Sequence, residues 1–150
     1  MKRLALLKTL LEREEKRRDE QMAAVRNAVA NAEAQQQQAD GLTQYRGEYC
    51  RKWSAQFQQA STIEILRSYQ GFLSRLDQAI SQQQSVLEHA HRMVEAQRQR
   101  LIEREIRVKT VQRLIERREA MLAKVADRRD QKNLDELAQR LLNGRAGGLA

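Results

Sequence analysis

Proline is absent from all 150 residues, although average usage of about 5% would place roughly seven in such a chain. An internal proline removes a backbone donor and costs a helix about 3 kcal/mol, so a chain without any can run its hydrogen-bond ladder through many turns. The apolar residues recur at heptad spacing nearly throughout, which selects helices that bury a narrow stripe. Function is therefore to be sought along a rod of helix.

The composition agrees: 41% hydrophobic, 32% charged and only 4% aromatic, a coiled-coil profile rather than that of a compact core rich in rings. One structural unit is expected. The single cysteine, Cys50, has no internal partner, which fits a reduced cytoplasm. The opening residues Met1 to Leu7 resemble a signal peptide only until Lys8 and the acidic Glu12, Glu14 and Glu15 interrupt them, so secretion is not expected.

A net charge of +8 raises the question of phosphate-bearing partners. Acidic and basic residues nevertheless alternate, as in Arg13 to Glu20, the pattern of an exposed helix with i,i+4 pairs, which argues against nucleic acid as the partner. The most one-sided stretch, Arg92 to Arg118, has nine basic residues against four Glu. It reads as a solvated helix face or as a dock for an acidic protein surface. The alternative function is a generic basic coiled-coil scaffold that binds nucleic acid or a membrane surface through this stretch.

The first helical pattern weakens after Trp53, and Ser61-Thr62-Ile63-Glu64 has the form of a capping box, in which Ser and Glu side chains satisfy each other's backbone amides. The expected architecture is all-α, a long two-helix antiparallel coiled-coil hairpin whose second helix is longer than the first. Helix one covers about 3–55, the loop about 56–61 and helix two about 62–142, together a single domain over 1–143. Asn143-Gly144 supplies the only stop signal, leaving 144–150 as a disordered tail.

Two seams with unbroken 3-4 spacing can be written. The first runs Leu4, Leu7, Leu11, Glu14, Arg18, Gln21, Val25, Ala28, Ala32, Gln35, Ala39, Leu42, Arg46, Tyr49, Trp53. The second runs Leu66, Tyr69, Leu73, Leu76, Ile80, Gln83, Leu87, Ala90, Val94, Gln97, Leu101, Arg104, Val108, Val111, Ile115, then weakly Leu122 and Val125. A short connection folds adjacent helices antiparallel, so the numbers of facing residues should share one sum. The sum that pairs Gln21 with Gln97, Gln35 with Gln83, Tyr49 with Tyr69 and Glu14 with Arg104 gives each polar seam residue a partner, where an orphan would cost about 1–3 kcal/mol. Such pairs also penalise a slip by one heptad. In this register helix two overhangs helix one after about Ile115, and its apolar residues Met121, Leu122, Val125, Leu134, Leu137, Leu141 and Leu142 either fray with the helix or dock into another protein.

No catalytic residue, cofactor site or metal site is expected. His89 and His91 lie two apart on a helix and point apart, no glycine-rich loop follows a strand, and Cys50 has no base beside it. All six aromatics gather near the bend: Tyr45, Tyr49, Trp53, Phe57, Tyr69 and Phe72. Two accounts stand: rings fill the space where the helices diverge, or they anchor a partner.

Three stretches carry a family resemblance: Tyr45-Arg46-Gly47-Glu48-Tyr49, Tyr69 to Ile80, and Asp130 to Arg140. With them the chain resembles the flagellar export protein FliJ and its relatives in type III secretion over essentially its whole length. The resemblance implies a non-enzymatic antiparallel coiled coil, similar to the central stalk of rotary ATPases. Such a protein inserts into the hexameric export ATPase, promotes its assembly and ATP hydrolysis, and binds the cytoplasmic domain of the membrane export gate and export substrate chaperones. It implies a cytoplasmic protein peripheral to the inner membrane at the flagellar base, reaching the membrane only through partners. By position it implies a gate-facing surface at Gln38, Leu42, Tyr45, Tyr49, Phe72, Leu76 and Ala79. Leu42, Tyr49 and Leu76 also belong to the seams, whereas Tyr45 and Phe72 are free of them. The ATPase-facing end would comprise Leu4, Leu7, Leu11, Val111, Ile115, Leu122 and Val125, with Arg113, Arg117 and Arg118 meeting acidic ring loops.

Overall fold

The computed structural model describes the backbone of residues 2–59 and 62–148, with side chains as far as Arg145. Two helices account for nearly all of it: α1, Lys2–Phe57, and α2, Ile63–Gly148, of 56 and 86 residues. They pack as an antiparallel hairpin, the second longer than the first, as the apolar spacing requires. Among the described residues there is no strand, and no helix is long and apolar enough to cross a membrane.

The reversal is short. The Gln59 amide donates to the Gln56 carbonyl at 3.1 Å, and the Thr62 hydroxyl accepts the Ile65 amide hydrogen at 3.3 Å, satisfying one of the orphan donors that open every helix. Thr62 therefore caps α2. The Ser61 of the expected capping box lies outside the described residues. Glu64 in the first turn and Arg145 in the last each have the sign that complements the helix dipole.

At the other end the expected stop is passed, since α2 continues through Asn143 and Gly144 to Gly148. No described glycine has a positive φ, so the left-handed cap that ends many helices does not form. A glycine costs about 1 kcal/mol in a helix, and the helix formers Leu141, Leu142 and Arg145 flank this one. The described part of the tail is thus helical.

The hairpin forms two compact units, one of residues 1–17 with 105–150 and one of residues 18–104, where the sequence suggests one. In the second unit the buried residues are Ala32, Ala39, Leu76, Gln83, Leu87, Ala90 and Val94, all of them seam positions. Ala32, Ala90 and Val94 form its centre, with Ala28 and Val29 against them. In the first unit Glu14, Val108, Val111 and Ile115 are buried, again on the seams. Leu66 and Val125, the outlying seam members, are exposed.

The register of the second unit is the one that satisfies its glutamines. Gln21 Nε2 donates to the Gln97 carbonyl at 2.9 Å and to Gln97 Oε1 at 2.6 Å. Two heptads along, Gln83 Nε2 donates to the Gln35 carbonyl at 3.0 Å and to Gln35 Oε1 at 2.8 Å. The donor sits on α1 in one pair and on α2 in the other, and the small Ala28 and Ala90 lie between them. Cysteines introduced as Ala28→Cys and Ala90→Cys, with Cys50→Ser, are expected to form an intramolecular disulfide on mild oxidation. Failure to cross-link within the monomer, read by non-reducing electrophoresis and mass spectrometry, would reject this register.

Glu14 belongs to the first unit and Arg104 to the second. Glu14 makes its ion pair along its own helix, with Arg17 at 3.8 Å, one turn away. Glu14 Oε2 and Arg104 Nη1 are buried with no hydrogen-bond partner among the described residues, an arrangement that costs stability in each unit.

Candidate functional site

In the second unit the six aromatic rings form one continuous cluster. Tyr45, Tyr49, Trp53 and Phe57 follow one another at four-residue steps, which keeps them on one side of α1, and Tyr69 and Phe72 meet them from α2. Tyr49 is the hub, with ring centroids 4.4 Å from Phe72, 5.6 Å from Tyr69, 5.9 Å from Trp53 and 6.3 Å from Tyr45. Phe57 and Tyr69 close the cluster toward the bend at 5.2 Å, edge to face. The Tyr69 hydroxyl is held above the usual phenol range, first by the neighbouring Cys50 thiol and then by desolvation. An ion pair flanks the rings: Arg46 Nε donates to Asp77 Oδ1 at 2.6 Å, which raises the pKa of Arg46. Both partners are well exposed, so the pair adds little stability.

These contacts sort the expected gate-facing residues. Tyr45 is 48% exposed and lies 6.4 Å from Phe72, so it offers a ring and a hydroxyl to solvent. Gln38 is exposed; Leu42, Tyr49, Phe72 and Ala79 are half-buried, and Leu76 is buried. Phe72 lies off the seams yet packs most closely of all on Tyr49, so it is a structural ring as much as Tyr49 is. Tyr45, Glu48, Tyr49, Lys52, Trp53 and Gln56 line a shallow groove of about 590 Å³ on α1. Trp53 thereby joins this surface, although the family words do not include it; its four-residue step from Tyr49 is the sequence signal. Gln83, one heptad from Leu76 on the seam, is buried and donates through Nε2 to Gln35.

In the first unit the expected ATPase-facing residues divide likewise. Val111 and Ile115 are buried and hold the two helices together. Leu4, Leu7, Leu11, Arg118 and Leu122 are half-buried, while Arg113, Arg117 and Val125 are exposed. A groove of about 420 Å³ also runs between the helices, lined by Arg3, Leu6, Leu7 and Leu10 from α1 and Leu114, Arg117, Arg118 and Met121 from α2. Leu6, Leu10 and Leu114 lie outside the seams. Their signal in the sequence is i,i+4 spacing between Leu6 and Leu10 and i,i+7 spacing between Leu114 and Met121, a second apolar stripe beside the first. Past Leu122, every residue of α2 with a described side chain is exposed.

Charge is distributed unevenly between the units. The first unit has 17 Lys and Arg against 10 Asp and Glu, a net +7, and the second 11 against 10, a net +1. Among the described residues no group of three or more His, Cys, Asp or Glu could hold a metal ion.

No curated protein and no solved structure matches the chain. The family described as Flagellar FliJ protein matches residues 2–147, nearly the whole length, and its members are non-catalytic coiled-coil components of flagellar protein export. With its two long helices and heptad seams, the chain belongs to the flagellar FliJ protein family.

Proposed function

We propose that this protein acts as a central-stalk-like coiled coil of the flagellar export apparatus, binding the hexameric export ATPase through its first unit and promoting ring assembly and ATP hydrolysis. The same reading gives the aromatic surface around Tyr45 to the cytoplasmic domain of the membrane export gate, and includes substrate chaperones among the partners. It makes the protein non-enzymatic, cytoplasmic and peripheral to the inner membrane at the flagellar base. The observation that carries it is the first unit, which combines an open apolar groove between its two helices with a net charge of +7. A stalk needs side chains directed outward, and Arg113, Arg117, Leu114 and Met121 are exposed.

The test is the hydrolysis rate and oligomeric state of the cognate export ATPase, with and without this protein, near physiological salt. A stoichiometric rise in rate together with ring formation is expected. Replacing Arg113, Arg117 and Arg118 by Ala should reduce the stimulation by about tenfold in effective concentration, the equivalent of losing about 1.4 kcal/mol of binding. No effect of the wild-type protein on rate or assembly rejects the stalk reading. DNA binding that falls steeply with salt, in the same preparation, would favour the basic scaffold instead.

A further inference from the structure

We infer that the groove between the start of α1 and the 114–121 stretch of α2 is the docking site for an acidic amphipathic helix of a partner protein. The inference deepens the stalk reading, on which it rests for the role of this unit; the groove's own chemistry is independent of that role.

The floor is apolar and open. Leu6 is 70% exposed, and Leu10, Leu114 and Met121 are exposed with it, an adjoining set of large side chains of the kind that marks a partner site rather than ordinary surface. The walls are two antiparallel helices, Arg3 to Leu10 on one side and Leu114 to Met121 on the other, each about two turns long, or roughly 12 Å. A concave trough of that length between parallel walls matches a helix laid along it with anchors at i, i+4 and i+7. A flat bilayer surface does not fill such a trough.

The rim is cationic. Arg3, Arg117 and Arg118 border the groove, and none of them is in an ion pair among the described residues. Arg118 is half-buried, with Nε buried and unpartnered and Nη1 resting against Met121 Sδ at 3.9 Å. Its guanidinium thus sits against the apolar wall without a carboxylate, and arginine is the cation best suited to a carboxylate at an interface. The surrounding unit's +7 attracts an acidic partner and repels a second copy of this chain, which would bring +7 against +7.

The probe is a capped synthetic peptide of about four turns, with Leu at i, i+4, i+7 and i+11 and Glu on both flanks, beside a twin with Lys in place of every Glu. Both are titrated by fluorescence anisotropy against the full-length protein. The Glu peptide should bind saturably and the Lys twin should not. Leu6→Glu with Leu114→Glu should weaken the Glu peptide by at least about tenfold, with helicity by circular dichroism unchanged because both positions are exposed. Arg3→Glu with Arg117→Glu should do the same and should turn preference toward the Lys twin. The inference is overturned if the Glu peptide shows no saturable binding, if both peptides bind alike, or if the groove variants bind it as wild type does. Sedimentation showing a dimer that Leu6→Glu dissolves would assign the groove to a second copy, and flotation with phosphatidylserine vesicles that the same variant abolishes would assign it to lipid; each overturns it. ATPase stimulation by these variants is read separately. Lost peptide binding with stimulation retained supports the groove and removes it from the stalk contact. Lost stimulation in a protein that never bound the peptide leaves the stalk reading standing without the groove inference.

Discussion

Ala90→Glu lowers the stability of the hairpin by about 3–5 kcal/mol, the expected cost of burying a carboxylate in an apolar seam. Ala90 is 3% exposed and packs with Ala32 and Val94, with Ala28 and Val29 against them. Helix propensity cannot account for the loss, since Glu is nearly as good a helix former as Ala. The control is Ala138→Glu, the same chemical change on the exposed part of α2, which should stay within about 0.5 kcal/mol of wild type. Chemical denaturation followed by circular dichroism measures both. Equal effects at the two positions would mean that α1 and α2 are not packed at Ala90. A loss of this size is a large share of the stability of about 5–15 kcal/mol that most domains possess, so partial unfolding at physiological temperature is expected.

Tyr49→Ala should cost about 2–4 kcal/mol, somewhat below the range for fully buried rings because Tyr49 is half-buried. Its ring lies within 6.3 Å of four others, and aromatic pairs add about 0.5–1.5 kcal/mol each beyond the area they bury. Tyr45→Ala should cost under about 1 kcal/mol, because that ring keeps nearly half its surface in water. The two variants therefore separate packing from binding. If the aromatic surface meets the export gate, Tyr45→Ala loses affinity for the gate's cytoplasmic domain while the hairpin melts as wild type. Calorimetric titration with that domain, beside a denaturation curve, gives both readings. Unchanged gate affinity in folded Tyr45→Ala would leave the cluster a purely structural role, rings filling the divergence of two helices near their bend.

Gln21, Gln35, Gln83 and Gln97 interrupt the apolar seams, and one register brings them together in pairs; that register is the one seen in residues 18–104. Phe72 shows the opposite. Its spacing places it off the seams and so suggests a free ring, yet it packs within 4.4 Å of Tyr49, because an aromatic side chain reaches around its helix to a neighbour that an aliphatic one would miss. The Asn143-Gly144 stop was misleading for a different reason. Glycine permits the left-handed cap without requiring it, and α2 passes through.

The helices, their seams, the site of the reversal and the pairing of the glutamines were determined by the sequence alone, because each rests on spacing along one chain or on a polar side chain that needs a partner. The division into two units, the closing of Phe72 onto Tyr49 and the groove of Leu6, Leu10, Leu114 and Met121 were decided only by the tertiary structure. Leu6 and Leu114 are separated by more than a hundred residues, and neither lies on a seam. No local pattern records that they flank one trough, since two helices become the walls of a groove only when packing sets them side by side.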